Sequence, residues 1–286
     1  MKLLAMVGLA CSLCGCSHSD AVIVGSKNFT EQIVLGELAA QQLERKLHIH
    51  VERRLSLGGT LLAHLAIVKG EIDIYPEYTG TAATVVLKEK QVSAEPVQTY
   101  MDVKNAYYRR FGLVWLPPLG FNDTFAMVVR SEDGKRLATP QLSAAKTRAW
   151  RLGIGYEFLT RPDGFGRFNR VYGIHWQGTP KSMDLGLLYK ALEEKRVDMA
   201  AGNSTDAQLS DPKMMMLADD KKAFPPYNAC FVARKEFLEQ RPGARMALTL
   251  LENRISDETM RRLNRLVQAE HRPVASVVSD FLAGQP

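Results

Sequence analysis

Beyond residue 16 the chain has one cysteine, Cys230, so no internal disulfide can staple the folded part and no thiol pair can hold a metal. The six histidines, His18, His48, His50, His64, His175 and His271, form no H-E-x-x-H, and none is spaced with Cys230 as a zinc ligand set. There is no G-x-S-x-G elbow for a serine nucleophile, and no glycine-rich loop ends in Lys-Ser/Thr. The stretch "GIGYEF" has two of the three glycines of a dinucleotide fingerprint and reads as a turn. Basic residues are not gathered into a block. The pairs Arg53-Arg54, Arg109-Arg110 and Arg261-Arg262 are scattered solvated charges, which argues against a nucleic-acid partner. Metal, cofactor and nucleic-acid chemistries are therefore not expected, and neither is catalysis.

A long apolar run is also missing, and the opening "MKLLAMVGLACSLCGC" shows what stands in its place. One lysine precedes roughly a dozen apolar residues, too few to cross a bilayer and typical of an export signal. The segment resembles a bacterial lipoprotein signal, with "LCGC" as the processing box. That implies removal of residues 1–15 and a lipid anchor on Cys16, hence an extracytoplasmic, membrane-attached protein. Loss of Lys2 takes the net charge from +6 to +5.

With 286 residues, 46% of them hydrophobic, the chain can bury one large or two modest cores. "AVIVGS" reads as a strand and "KNFTEQIVLGELAAQQLERKL" as a helix, with Asn28 and Glu31 spaced as a capping box. An alternating strand "HIHVERRLS", a helix near 60–69 and the apolar strand "EIDIY" follow. Pro76 and Gly80 are expected to end that strand before Tyr78, leaving Tyr78 on a loop. A second set comprises "TFAMVVR", "RLGIGY", a helix over about 181–195 and the strand "VDMAAG"; "CFVAR" and a helical tail close the chain. Strand and helix alternate, which predicts an α/β fold with largely parallel sheets. The pairs Pro117-Pro118 and Pro225-Pro226 bracket the middle region. The economical arrangement is lobe 1 from 21–119 and 228–286, lobe 2 inserted over 120–227, and two crossovers between them. An internal echo places "AIVKGEIDI" over "ALEEKRVDM", aligning Asp73 with Asp198 and Tyr78 with Asn203. If both lobes deliver strand ends to one cleft, a ligand sits there, because open α/β sheets bind outside the carboxyl ends of their strands.

Tyr78, Phe125 in "NDTFAM" and Tyr227 in "FPPYNAC" fall at such ends or at the crossovers. Three ring faces can box a quaternary ammonium, which donates no hydrogen bond and needs no polar partner, at roughly 0.5–2 kcal/mol per face. Read singly, each ring is also consistent with ordinary packing. Lys27 and Asn28 precede a helix start, where free N–H groups favour an anion. Arg161 in "TRPDGF" carries a guanidinium that grips carboxylates in two places. Lys27 and Arg161 read equally as surface charges. A contrasting possibility is an exported enzyme with Glu77 and Asp123 as an acid and base pair.

At these residues the chain resembles the osmoprotectant (glycine betaine, carnitine, choline) substrate-binding family of ATP-binding-cassette importers, from about Val22 to Leu282. The motifs are "GSKNFTEQ", "GEIDIYPEYTGT", "NDTFAM", "RPDGF", "LGLLYKALEEKRVDMAAGNSTD", "DDKKAFPPYNAC" and "ISDETMRRLN". The resemblance implies a two-lobed type II periplasmic-binding-protein fold that closes over a small zwitterion and delivers it, as a monomer, to a membrane permease. It makes Tyr78 and Tyr227 cage walls, Thr81 a cleft-lining hydroxyl, and Lys27 and Arg161 carboxylate partners. Two positions depart from the family pattern. Phe125 stands where tyrosine is frequent and loses a hydroxyl. Asn203 stands where an aromatic is frequent and removes one wall, while its amide suits a larger betaine such as ergothioneine.

Overall fold

The computed structural model describes residues 21–284; Cys16 and the signal segment lie outside the described residues. Twelve strands follow in chain order: β1 (Val22–Gly25), β2 (Val51–Arg54), β3 (Ile74–Tyr78), β4 (Leu113–Trp115), β5 (Phe125–Arg130), β6 (Ala149–Trp150), β7 (Leu152–Ile154), β8 (His175–Trp176), β9 (Lys181–Ser182), β10 (Met199–Asn203), β11 (Met214–Leu217) and β12 (Ala229–Arg234). They form one sheet of order β2-β1-β3-β12-β4, a second of order β11-β5-β10-β7-β9, and a small β6-β8 pair.

The sheets are mixed rather than largely parallel. Strands β1, β2 and β3 run parallel, as do β7, β9 and β10, but β5 and β12 pair antiparallel with their neighbours. These two strands each follow a crossover. A chain that enters a lobe from its partner starts at the cleft end of the sheet and must run away from it, against the strands that run toward it. That geometry places Phe125 and Tyr227 beside the carboxyl ends of β10 and β3.

The first sheet is covered on both faces. The helix Thr30–Leu47 lays Val34, Leu35, Leu38 and Leu43 on one face and packs against the carboxy-terminal helices Pro242–Thr249, Asp257–Gln268 and Val274–Ala283. Each leucine so buried contributes roughly 1.5–3 kcal/mol. The opposite face packs Tyr75, Val232 and Trp115 against Ile67 and Tyr107 of the helices Thr60–Val68 and Pro96–Phe111.

Strand β3 continues through Pro76, so Tyr78 is its last residue and not part of a loop. A proline is tolerated here because the β1 ladder registers only at Ile74, and the Phe231 carbonyl opposite Pro76 accepts from Leu116 on the other side. The capping box at Asn28 does not form: Phe29 is the N-cap, no side chain caps the helix, and Asn28 is exposed with its N–H donated to the Gly58 carbonyl at 3.0 Å. The helix expected over 181–195 is shorter, Leu185–Glu193, because Asp184 caps it and Lys181–Ser182 pairs with β7.

The internal echo has a structural basis. Strands β3 and β10 are both five residues long, ending at Tyr78 and Asn203. Ahead of them, Asp73 accepts the Ile23 N–H at 2.9 Å and pairs with Arg234 at the end of β12. Asp198 likewise accepts the Arg151 N–H at 3.1 Å and pairs with Arg130 at the end of β5. In each lobe the aspartate pins the entrance of the central strand to its neighbour, which fixes where that strand's far end emerges.

Candidate functional site

Lys27 follows β1 and is buried, 3% exposed, with Nζ 2.5 Å from Glu77 Oε1 and 5.0 Å from the Tyr78 ring centre. Glu77 is fully buried, and the same oxygen accepts the Tyr78 N–H at 2.8 Å. Lys27 is thus tied to the strand that carries Tyr78. The Tyr78 hydroxyl donates to Glu31 Oε1 at 2.7 Å, and Asn264 Nδ2 donates to Glu31 Oε2 and to the Thr205 carbonyl, each at 3.0 Å. Thr205 in turn donates to Asp123 at 2.7 Å. Burial pushes the Glu31 carboxyl up to about 7 despite these donors, and burial also raises Asp123.

The second group centres on Arg161, whose guanidinium lies 4.9 Å from the Phe125 ring centre and 5.7 Å from that of Tyr227. Arg161 donates to Asp163 through Nε at 2.9 Å and Nη2 at 2.6 Å, and to Thr81 at 3.2 Å. Asp163 also accepts from the Tyr227 hydroxyl at 2.6 Å and from Thr84 at 2.9 Å. Burial alone would raise the Asp163 carboxyl, but the bond and charge of Arg161, with Tyr227 and Thr84, hold it below the ordinary aspartate value. Phe125 meets Phe158, Phe224 and Tyr227 edge-on at 4.8, 5.5 and 5.7 Å. Asn203 stands opposite Phe125 in the β5-β10 ladder, half buried, with its N–H held by Asp206 at 2.8 Å.

The two groups meet at the turn after Tyr78. Thr79 donates to the Pro226 carbonyl at 3.0 Å, and Gly80 lies so close to Tyr227 that a Cβ there would sit 2.7 Å from its ring carbons. Phe125, Arg161, Thr81 and Tyr227 are therefore brought together, Tyr78 and Lys27 lie along the adjoining strand end, and Asn203 lies beside Phe125. Asn28 stands apart at the surface. Lys27 and Arg161 are not surface charges: Lys27 is buried, the Arg161 side chain is 10% exposed, and each has a carboxylate partner. Glu77 and Asp123, the alternative acid and base, are engaged with Lys27 and Thr205 respectively. Sequence reasoning missed Asp163, whose only signal is its place two residues after Arg161 in a turn, and Glu31, which reads as a helix-capping residue.

Residues 20–284 match the family of the substrate binding domain of ABC-type glycine betaine transport systems. The ergothioneine transport permease/ergothioneine binding protein EgtU of Helicobacter pylori is 34% identical over 264 residues, covering 91% of this chain and 47% of that protein; this chain spans about half its length. A glycine-betaine-binding protein of Pseudomonas aeruginosa is 32% identical over 296 residues, covering 98% of this chain and 94% of its own. Among solved structures, a glycine betaine/carnitine/choline ABC transporter protein superposes with a TM-score of 0.79 at 29% identity, covering 92% of this chain and 97% of that one. The two sheets joined by two crossovers are those of a type II periplasmic binding protein. With the match running over every described residue, the chain belongs to the family of substrate-binding domains of ABC-type glycine betaine transport systems.

Proposed function

We propose that the protein is the extracytoplasmic solute-binding component of an ABC importer, anchored through Cys16, and that it captures a zwitterion with a quaternary nitrogen for delivery to a permease. One observation carries this reading: Thr81 and Thr84 of the first lobe, Phe125 and Arg161 of the second, and Tyr227 of a crossover converge on one place. The lobes are taken as 21–119 with 228–286 and the inserted 120–227. Tyr78, Phe125 and Tyr227 supply ring faces for the cation. Lys27 has three donors and spends one on Glu77, and Arg161 has five and spends three on Asp163 and Thr81, so both keep N–H groups for a ligand carboxylate. Cage faces at roughly 0.5–2 kcal/mol and charge-assisted bonds at roughly 1.5–3 kcal/mol are enough for micromolar binding after the cost of ordering. Closure is a hinge motion at the crossovers. The Arg161–Thr81 and Asp163–Thr84 bonds form as the 79–86 segment meets the 161–163 turn.

A thermal-shift panel of choline, glycine betaine, carnitine, ergothioneine and proline tests this. A trimethylammonium carboxylate is expected to stabilise most and proline not at all; equal stabilisation by choline and glycine betaine removes the carboxylate clamp.

Asn203 favours a more specific alternative within the same reading. Its backbone is fixed by Asp206, while none of the described residues hydrogen-bonds its amide. In place of an aromatic wall, that amide suits the polar ring of ergothioneine, the ligand named for the EgtU relative. Equal affinity of the wild type and Asn203→Ala for ergothioneine would sink this alternative.

A further inference from the structure

Outside the Arg161–Asp163 pair, at the boundary of the two lobes, lies a cavity of about 590 Å³. The first lobe contributes Thr84, Lys88 and Lys90; the second contributes Arg161, Arg167 and Arg170. Two acidic residues also line it, Glu89 and Asp163, and both are committed: Asp163 to Arg161 at 2.6 Å and Glu89 to Arg110 at 3.3 Å. Lys88, Lys90, Arg167 and Arg170 have no carboxylate partner among the described residues. Arg167 Nε is instead bonded to the Ala223 carbonyl, which fixes the side chain and leaves its other guanidinium nitrogens free of that bond.

Two further features set this wall apart from an ordinary basic surface. The segment leading into it is a π-helical turn, Ala82–Val86, a rare form that occurs frequently at functional sites. Lys88 then adopts a left-handed backbone with φ of 58°, a strained conformation for a non-glycine residue. The cavity also sets two lysines of one lobe and two arginines of the other on its walls. Like charges brought together this way oppose closure unless an anion lies between them.

We propose that this cavity is an anion subsite whose occupant bridges the lobes, with Lys88 and Lys90 on one side and Arg167 and Arg170 on the other. Carboxylate or phosphate oxygens fit, since guanidinium forks and ammonium groups both donate to them and neither accepts. The anion comes either from the tail of the transported solute or from a separate small anion. Only the first source rests on the proposed function; the second does not depend on it.

The test is calorimetric titration at fixed ionic strength of the wild type and the double variant Lys88→Gln/Arg170→Gln, using inorganic phosphate, carnitine and choline. Both substituted side chains are exposed, and unfolding curves check that the variant folds. If the occupant is a free anion, phosphate binds the wild type and at least tenfold more weakly the variant. If it is the solute's tail, phosphate has no effect, carnitine weakens roughly tenfold in the variant, and choline, which has no anion, is unchanged. A variant that matches the wild type with both phosphate and carnitine overturns the subsite, as does an equal loss with choline. Phosphate binding that responds to the variant, with no trimethylammonium ligand binding at all, overturns the proposed function and leaves the subsite standing.

Discussion

Asp163→Asn is the most informative single change, because it keeps the side chain's shape and removes only its charge and half of its acceptor capacity. Asp163 is 2% exposed. One oxygen takes Arg161 Nη2, the Tyr227 hydroxyl and Thr84; the other takes Arg161 Nε. An asparagine amide must turn its NH₂ toward one of these sets. In the better orientation it faces Arg161 Nε and loses one charge-assisted bond, and the guanidinium is left with only the exposed Glu157 carboxylate, 3.8 Å from Nη1, as counter-charge. Breaking a buried ion pair costs about 3–5 kcal/mol. The lower end of that range applies, because the Arg161 side chain is 10% exposed and keeps Glu157 nearby. A net loss of about 3 kcal/mol is a fall of roughly a hundredfold in an equilibrium constant. Because Thr84 and Thr81 lie on the other lobe from Arg161, much of the loss is expected in lobe closure, and so in ligand affinity, rather than in the urea midpoint. The wild-type carboxyl titrates below its unfolded value of about 3.9, so its stabilisation is complete above that pH and is lost as pH falls through the folded value. The variant lacks this acid limb. Titration calorimetry with the best ligand of the panel, at neutral pH and at the acid end, measures both effects. An unchanged Kd together with an unchanged urea midpoint refutes the assignment of Asp163 as the hub of the contact.

Three further changes test neighbouring parts of the site. Glu31 keeps its proton in the fold up to about 7 against an ordinary 4.5, so wild-type stability falls by up to about 3 kcal/mol as pH rises through that window; urea midpoints at pH near 5 and near 8 should diverge more in the wild type than in Glu31→Gln, where only Asp123 and Asp206 remain raised, and parallel slopes count against it. Gly80→Ala pushes a methyl into the Tyr227 ring and the Pro226 carbonyl, and is expected to cost about 1–3 kcal/mol by thermal unfolding and to weaken ligand binding; a neutral result means the turn does not hold Tyr227. Asn203→Tyr adds an aromatic wall opposite Phe125 and is expected to tighten glycine betaine about fivefold while weakening ergothioneine; movement of both affinities in one direction contradicts a distinct role for the amide.

The strands and helices that carry the site were legible because each is a short apolar run bounded by turn residues, and the Asp73/Asp198 echo marked both central strands. What escaped was pairing direction. Periodicity reports which residues face a core but not which way a neighbouring strand runs, and β5 and β12 reverse because each returns across a crossover. Tyr78 was misplaced for a related reason: the rule that proline ends a strand assumes a hydrogen-bonding neighbour on both sides, and at Pro76 the β1 ladder has already ended. The aromatic and basic residues of the candidate site could be nominated from their types. Their counter-charges could not, since Glu77 and Asp163 look like any turn or strand-end carboxylate until burial shows that they must be paired.

On the proposed function, those counter-charges change how the cleft selects a ligand. Lys27 is neutralised by Glu77 and Arg161 by Asp163, so neither brings net positive charge to a ligand; each offers directed N–H groups with little net field. A bare anion gains less from such a site than from an unpaired lysine, while a zwitterion, itself neutral overall, gives up little by comparison. The ring faces add attraction for the cationic end alone. Internal ion pairs and π faces together therefore favour molecules that carry both charges at once, and that preference arises before any residue has been matched to a particular betaine.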